Sequence, residues 1–395
     1  MMTRCAIHWQ IKKKNIVEIA ICPNNLVGWQ QKGNGKRMEN LKEKINALVS
    51  SFEKILYDED DIFLKNMQTN NLAGDNPERY RFWEWTQGVG LFGLWKIYEE
   101  TGEEEIIEKL NKYYERQLTI GLPARNINTT APLLALTYLV EKDGNETYME
   151  ICRDWAQWLV DELPKTEEGG FQHLTSDTLN EQELWDDTLF MSVLFLARMG
   201  VILKKQEWID EAEYQFLIHV KYLADKKTGL WYHGWTFHGC HNFAGAFWGR
   251  GNSWITMAIP ELFGIIPCSG AVKHFLTEAL KNQIDALVSY QNENGMWHTV
   301  IDDNTSYVEA SATCGFGYGI LKAVHLGLVD SSFEASARKA LLPVLQCIDT
   351  EGVVHQVSYG TPMGRESVQF YKDIELRPMP YGQAMAMLFL LEASK

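Results

Sequence analysis

Strongly apolar segments alternate along this chain with amphipathic ones, and that alternation restricts the fold more than any other feature. "FWEWTQGVGLFGLWKIY", "TTAPLLALTYLV", "DDTLFMSVLFLA", "NSWITMAIPELF" and "SATCGFGYGILKAV" are apolar on nearly every side. Turn glycines are expected after them at Gly102, Gly144, Gly200, Gly264 and Gly327. Segments with an apolar stripe and a polar face follow, such as "ETYMEICRDWAQWLVDEL" and "QEWIDEAEYQFLIHVKYL". A helix hydrophobic all round must be buried, whereas a striped one keeps a wet face. Two concentric helix layers satisfy both demands. An opening helix near 39–56 and a closing one near 380–394 bring the count to twelve. An open solenoid would need a capping helix polar on its outer side, but the closing segment "PMPYGQAMAMLFLLEA" has the pattern of an inner helix. The expected fold is all-α, an (α/α)6 barrel of six helical hairpins.

Residues 1–37 share none of this periodicity. They are expected to form an N-terminal extension, either poorly ordered or upstream of a true start at Met38, with 38–395 as a single barrel domain. The first residues lack the basic-then-apolar build of a signal peptide. The seven cysteines are scattered without a CxxC pair, which fits reduced thiols and a cytoplasmic protein. A net charge of −15 disfavours nucleic acid and anionic membranes as partners. Fourteen tryptophans fill a core or wall a sugar site equally well, and nothing fixes the oligomeric state.

A second repeat follows the outer helices: "GGFQH", "TGLWYH", "NGMWH" and "EGVVH". Each is a glycine turn, a short apolar piece and a histidine, which makes His173, His233, His298 and His355 equivalent by position. In a hairpin barrel these turns share one end with the N-termini of the inner helices. Asp186 and Asp187, opening "DDTLFMSVLFLA", therefore lie on the same rim. Either can serve as a helix N-cap. The other would sit beside Trp185, where desolvation raises a carboxyl pKa and suits it to general acid work, while the helix dipole pulls the opposite way. Trp248, Arg250 and Trp254 in "FWGRGNSW" could clamp a carboxylate and flank a sugar, or form a loop ion pair over core indoles, the commoner use of such residues.

Glycoside cleavage by two carboxyl groups needs a flanking partner, and none is evident among Glu84, Asp177, Glu181, Glu183 and Glu309. His238, Cys240 and His241 in "HGCH" are too close together for a zinc set without outlying ligands. No metal or cofactor is expected.

"LWDDTLFM", "FWGRGNSW", "GGFQH", "LWYHGW", the W-x-W-x-x-G-V-G-L of 83–91 and "PMPYGQAMAM" together resemble glycoside hydrolase family 105, the unsaturated rhamnogalacturonyl hydrolases. That family is related to the unsaturated glucuronyl hydrolases of family 88, and the resemblance covers roughly residues 40–394. It implies an (α/α)6 barrel that removes the 4,5-unsaturated uronic acid left by polysaccharide lyases, from a small oligosaccharide such as a rhamnogalacturonan disaccharide. It further implies that Asp187 protonates the vinyl ether, with Asp186 in support, so that no nucleophilic carboxylate is needed. Trp185 would stack near the unsaturated ring, His173 and His233 would line the pocket, Arg250 would meet the substrate carboxylate, and Trp248 and Trp254 would form walls. Where many relatives carry a second aspartate, "RNINTTAP" offers Asn128, an amide that can hold a hydroxyl but not take a proton. Unsaturated glucuronyl ends of other polysaccharides are the alternative substrates. A non-catalytic sugar binder, or an epimerase using paired rim histidines, is the alternative outside this chemistry.

Overall fold

The computed structural model describes residues 34–55, 79 and 82–395. Of the extension expected over 1–37, residues 1–33 lie outside the described residues. Leu41–Lys395 constitutes one compact unit. In chain order the long helices are α1 (Asn34–Ile55), α2 (Trp85–Thr101), α3 (Glu104–Ile120), α4 (Ile127–Asp143), α5 (Glu146–Asp161) and α6 (Leu194–Leu203). They continue through α7 (Gln206–Leu223), α8 (Gly249–Ile265), α9 (Gly270–Tyr290), α10 (Ala310–His325), α11 (Glu334–Cys347) and α12 (Pro380–Ala393).

Burial separates the two layers as the apolar pattern requires. In α12 every residue from Tyr381 to Ala393 is buried. In α3 only one stripe is: Ile106, Ile107, Leu110, Tyr113, Tyr114 and Gln117. The inner helices pack as a ring, α2 on α4, α4 on α6, α6 on α8, α8 on α10, α10 on α12, and α12 back on α2. That last contact closes the barrel. Small residues let the inner helices approach: a Cβ at Gly319 of α10 would stand 2.3 Å from the Thr256 carbonyl oxygen of α8.

Two expected turn glycines act otherwise. Gly102, Gly144 and Gly327 adopt positive φ at helix ends, the left-handed cap glycine favours. Gly200 instead lies inside α6, where a Cβ would meet Ile209 of α7 at 2.8 Å, so its role is close packing and Lys204 makes the turn. Gly264 lies in the last turn of α8, which ends before Pro267 because the residue ahead of a proline is pushed out of helical geometry. No helix among the described residues is long and apolar enough to cross a membrane.

After the outer helices the repeated glycine turns close small antiparallel bridges, Lys165↔Phe171, Ala224↔Trp231 and Ile348↔Val354, which return the chain to the barrel end where the inner helices begin. There β1 (Glu183–Trp185) pairs antiparallel with β2 (Gly234–Thr236), Trp185 facing Gly234. This pairing sets the segment before Asp186 beside the one after His233.

Candidate active site

Six inner helices starting at one end leave unpaired N–H groups there, and polar side chains collect to meet them. Glu84 caps α2 in a capping box with Gln87, Asn126 caps α4 in one with Thr129, and the Glu309 carboxylate accepts the Ala312 N–H of α10. A cavity of about 620 Å³ opens at this end. Its walls include Asp187, Trp185, His173, Asn128, Trp248 and Trp254 from the expected set, together with Glu84, Trp85, Asp177 and the stretch 359–362. Asp186, His233 and Arg250 do not line it.

Neither aspartate serves as a side-chain N-cap. The first N–H groups of the segment, those of Phe190 and Met191, take the Asp187 carbonyl. A π turn over Leu189–Val193 then leads into α6, a local irregularity of the kind that clusters at functional sites. Asp187 keeps part of its side chain open to the cavity, 17% exposed. Burial pushes its carboxyl up to about 7, against the backbone N–H groups of 187 and 188 and the Arg250 charge. Asp186 is fully buried, and burial followed by the neighbouring Asp187 raises it well above the ordinary range. Its carboxyl rests on Gly251, where a Cβ would come within 2.2 Å of Oδ2. The middle glycine of "GRGN" is therefore required by Asp186.

The aromatic ladder behind Asp187 is built from both histidine turns. The His173 ring stacks on Trp185 at 4.4 Å and 9°. Its Nδ1 lies 2.7 Å from the Thr188 hydroxyl and 3.5 Å from Asp187 Oδ1. Burial lowers His173 to about 3, which leaves it neutral. His233 sits one layer deeper, 4.3 Å from Trp248 and edge-on to Trp185 at 5.3 Å, with Nδ1 2.7 Å from the Tyr371 hydroxyl. Burial, then its electrostatic coupling to the His173 ring and the Arg250 charge, hold it well below the usual imidazole range. The other two repeat histidines serve turns. Buried His298 pairs with Asn292 and the Ser306 carbonyl, and exposed His355 pairs with Asp349.

Arg250 lies behind the cavity wall and not in its lining. It is 1% exposed and lies between Trp248 and Tyr381, 4.7 Å from each ring centroid. Nη1 donates to the Ser358 carbonyl (2.9 Å) and hydroxyl (2.6 Å), and Nη2 donates to the Tyr359 carbonyl (3.1 Å) and the Thr361 hydroxyl (2.8 Å). The fork that was to meet a substrate carboxylate is thus engaged by the 358–361 stretch. What it does here is shape a cavity wall from behind.

Sequence reasoning passed over Glu84. It is buried, accepts a short hydrogen bond from Ser176 and faces the cavity. Burial drives its pKa to about 8, with Asp177 adding to the rise and Ser176 opposing it. The E-x-x-Q spacing of Glu84 and Gln87 is a readable capping signal, but its aim into the cavity is not. The folded pKa lies above the ordinary value of 4.5, so the folded state holds an extra proton and loses stability as pH rises from about 4.5 towards 8. Glu84→Gln removes that titration. It is expected to gain on the order of 3 kcal/mol over wild type between pH 5 and pH 9 in denaturant unfolding. An equal difference at both pH values would mean that Glu84 is already ionised in the folded protein.

His238, Cys240 and His241 are exposed, and among the described residues no three His, Cys, Asp or Glu side chains form a group that could hold a metal ion.

The profile of Glycosyl Hydrolase Family 88 matches residues 60–395. The chain belongs to that family. It is accordingly a glycoside hydrolase, and the family's fold is the closed helical barrel described above. Unsaturated rhamnogalacturonyl hydrolase YesR of Bacillus subtilis (strain 168) is 29% identical over 316 residues, 79% of this chain and 90% of the relative. A solved structure of a possible member of the GH105 family from Salmonella enterica subsp. enterica serovar Paratyphi A is 42% identical. The match covers 89% of this chain and 93% of that one, with a TM-score of 0.81. A second possible GH105 member, from Klebsiella pneumoniae subsp. pneumoniae, is 37% identical over 99% of both chains, with a TM-score of 0.82. The resemblance to family 105 and its relative family 88, read from "LWDDTLFM" and "FWGRGNSW", is shown by these matches.

Proposed function

We propose that this chain hydrolyses lyase-generated oligosaccharides, removing the 4,5-unsaturated uronic acid from the non-reducing end, with a rhamnogalacturonan disaccharide as substrate. One observation carries the reading: an acid with a raised pKa, Asp187, opens into a cavity walled by indoles. The carboxylic acid of Asp187 donates its proton to C4 of the vinyl ether. Water adds at C5 and returns a proton to the Asp187 carboxylate. The resulting hemiketal opens and releases the aglycone sugar with its hydroxyl, so one water is consumed and the acid is regenerated.

The remaining roles follow from placement. Neutral His173, 3.5 Å from Asp187 Oδ1, orients the acid without neutralising it by proton transfer. Trp185, Trp248 and Trp254 offer flat faces to the sugars. Asn128 contributes an amide for a hydroxyl. Asp186 and His233 support Asp187 from the buried layer. The name of the Bacillus subtilis relative supports the rhamnogalacturonan assignment. A cytoplasmic site of action, on imported fragments, suits a step that finishes degradation.

The assay is loss of the ultraviolet absorbance of the unsaturated uronate together with release of rhamnose. Because the protonated acid is the active form, kcat/KM is expected to fall as pH rises through about 7, the value to which burial pushes Asp187. Bleaching of a glucuronyl disaccharide instead of the rhamnogalacturonan one would move the substrate within the same chemistry. A sugar altered without release of a second sugar would point to epimerisation and sink the hydrolytic reading.

A further inference from the structure

With both Nη atoms of Arg250 engaged, recognition of an anionic sugar needs another cation. Among the described residues lining the cavity there is one, Arg377, and no lysine. Its backbone is pinned: the Arg377 N–H donates to the Val357 carbonyl at 2.8 Å, Leu376 bridges Ser358, and the Tyr359 N–H donates to the Glu375 carbonyl at 2.9 Å. The segment 375–377 thus runs antiparallel to 357–359, the stretch that Arg250 holds in place. The Arg377 guanidinium stacks on the Tyr359 ring, 4.6 Å from its centroid. Neither a carboxylate within ion-pairing distance nor a side-chain hydrogen bond occupies it among the described residues.

Stacking holds the flat face of a guanidinium and leaves its N–H edge free for a planar, two-oxygen acceptor. We propose that Arg377 binds the C6 carboxylate of the substrate, as the specificity-determining cation of the cavity. This deepens the reading of the cavity as a uronide site and rests on it. Arg250 then acts one layer behind, positioning the strand against which Arg377 is pinned.

The test compares the unsaturated disaccharide with its C6 methyl ester, which keeps the shape and deletes the charge. Binding is measured by calorimetry in the Asp187→Asn background, where turnover does not intrude, and kinetics are measured with Asp187 present. The expected result is an acid-over-ester preference of about 10- to 100-fold, the worth of a charge-assisted pair. Arg377→Gln abolishes it, chiefly through KM, and Arg377→Lys restores part of it. A preference that survives Arg377→Gln overturns the proposal, as does failure of the acid to bind. If the acid binds with a preference that depends on Arg377 but is never consumed, the anion site stands and the hydrolytic reading falls.

Discussion

Replacing Asp187 with Asn is expected to lower kcat/KM by about three orders of magnitude or more while leaving the fold intact. General acid catalysis alone supplies about 10²- to 10⁴-fold, and the cavity offers no substitute at the same place. Glu84 also carries a raised pKa but caps α2 and is tied to Ser176. His173 is neutral at working pH and its Nδ1 is engaged by Thr188. Asn128 cannot give up a proton usefully. The fold should survive because Asp187 makes no N-cap bond and faces the cavity; loss of a buried, raised carboxyl at neutral pH removes a destabilising titration rather than a support. Turnover assays together with thermal unfolding separate these effects. If the variant keeps a tenth or more of wild-type kcat/KM, Asp187 is not the proton donor.

The barrel was legible because it rests on binary patterning. Segments apolar on every side had to be inner helices, and the ring of contacts from α2 round to α12 follows from that. The rim was legible in part. Four equivalent histidine turns had to share one end, but equivalent turns are spread around a barrel, so only neighbouring hairpins can meet. His173 lies in the turn entering α6 and His233 in the turn entering α8, on either side of Asp186 and Asp187. His298 and His355 belong to later hairpins and end up elsewhere on the rim. The aim of Arg250 was not legible at all. Its acceptors lie 108 to 111 residues further on, in a stretch with no periodic pattern. Local spacing can say that "GRGN" opens a helix, but not which side of the cavity wall its guanidinium occupies. Glu84 shows the same limit from the other direction: its capping role is local, whereas the hydrogen bond it accepts at the cavity comes from Ser176, 92 residues away.

Arg250→Met should be the most damaging change to stability among these residues. The side chain is 1% exposed, donates four hydrogen bonds to Ser358, Tyr359 and Thr361, and lies 3.9 Å from the equally buried carboxylate of Glu309. Removing one member of such a buried charged cluster costs about 3–5 kcal/mol, enough to consume much of a domain's marginal stability. Lysine should not rescue it, since an ammonium is a point donor and cannot reach across four acceptors as a planar fork does. Denaturant unfolding checks the first part; a loss below 1 kcal/mol would mean that the stretch holds itself. A second readout distinguishes a purely structural role from an electrostatic one. The Arg250 charge lowers the pKa of both Asp186 and Asp187. Its removal therefore raises the pKa of the acid, and the falling limb of kcat/KM against pH should move to higher pH. Loss of packing alone would scale the whole profile down without shifting it. A displaced limb in Arg250→Met, with the limb unmoved in Arg377→Gln, would place the first arginine behind the acid and the second in front of the substrate.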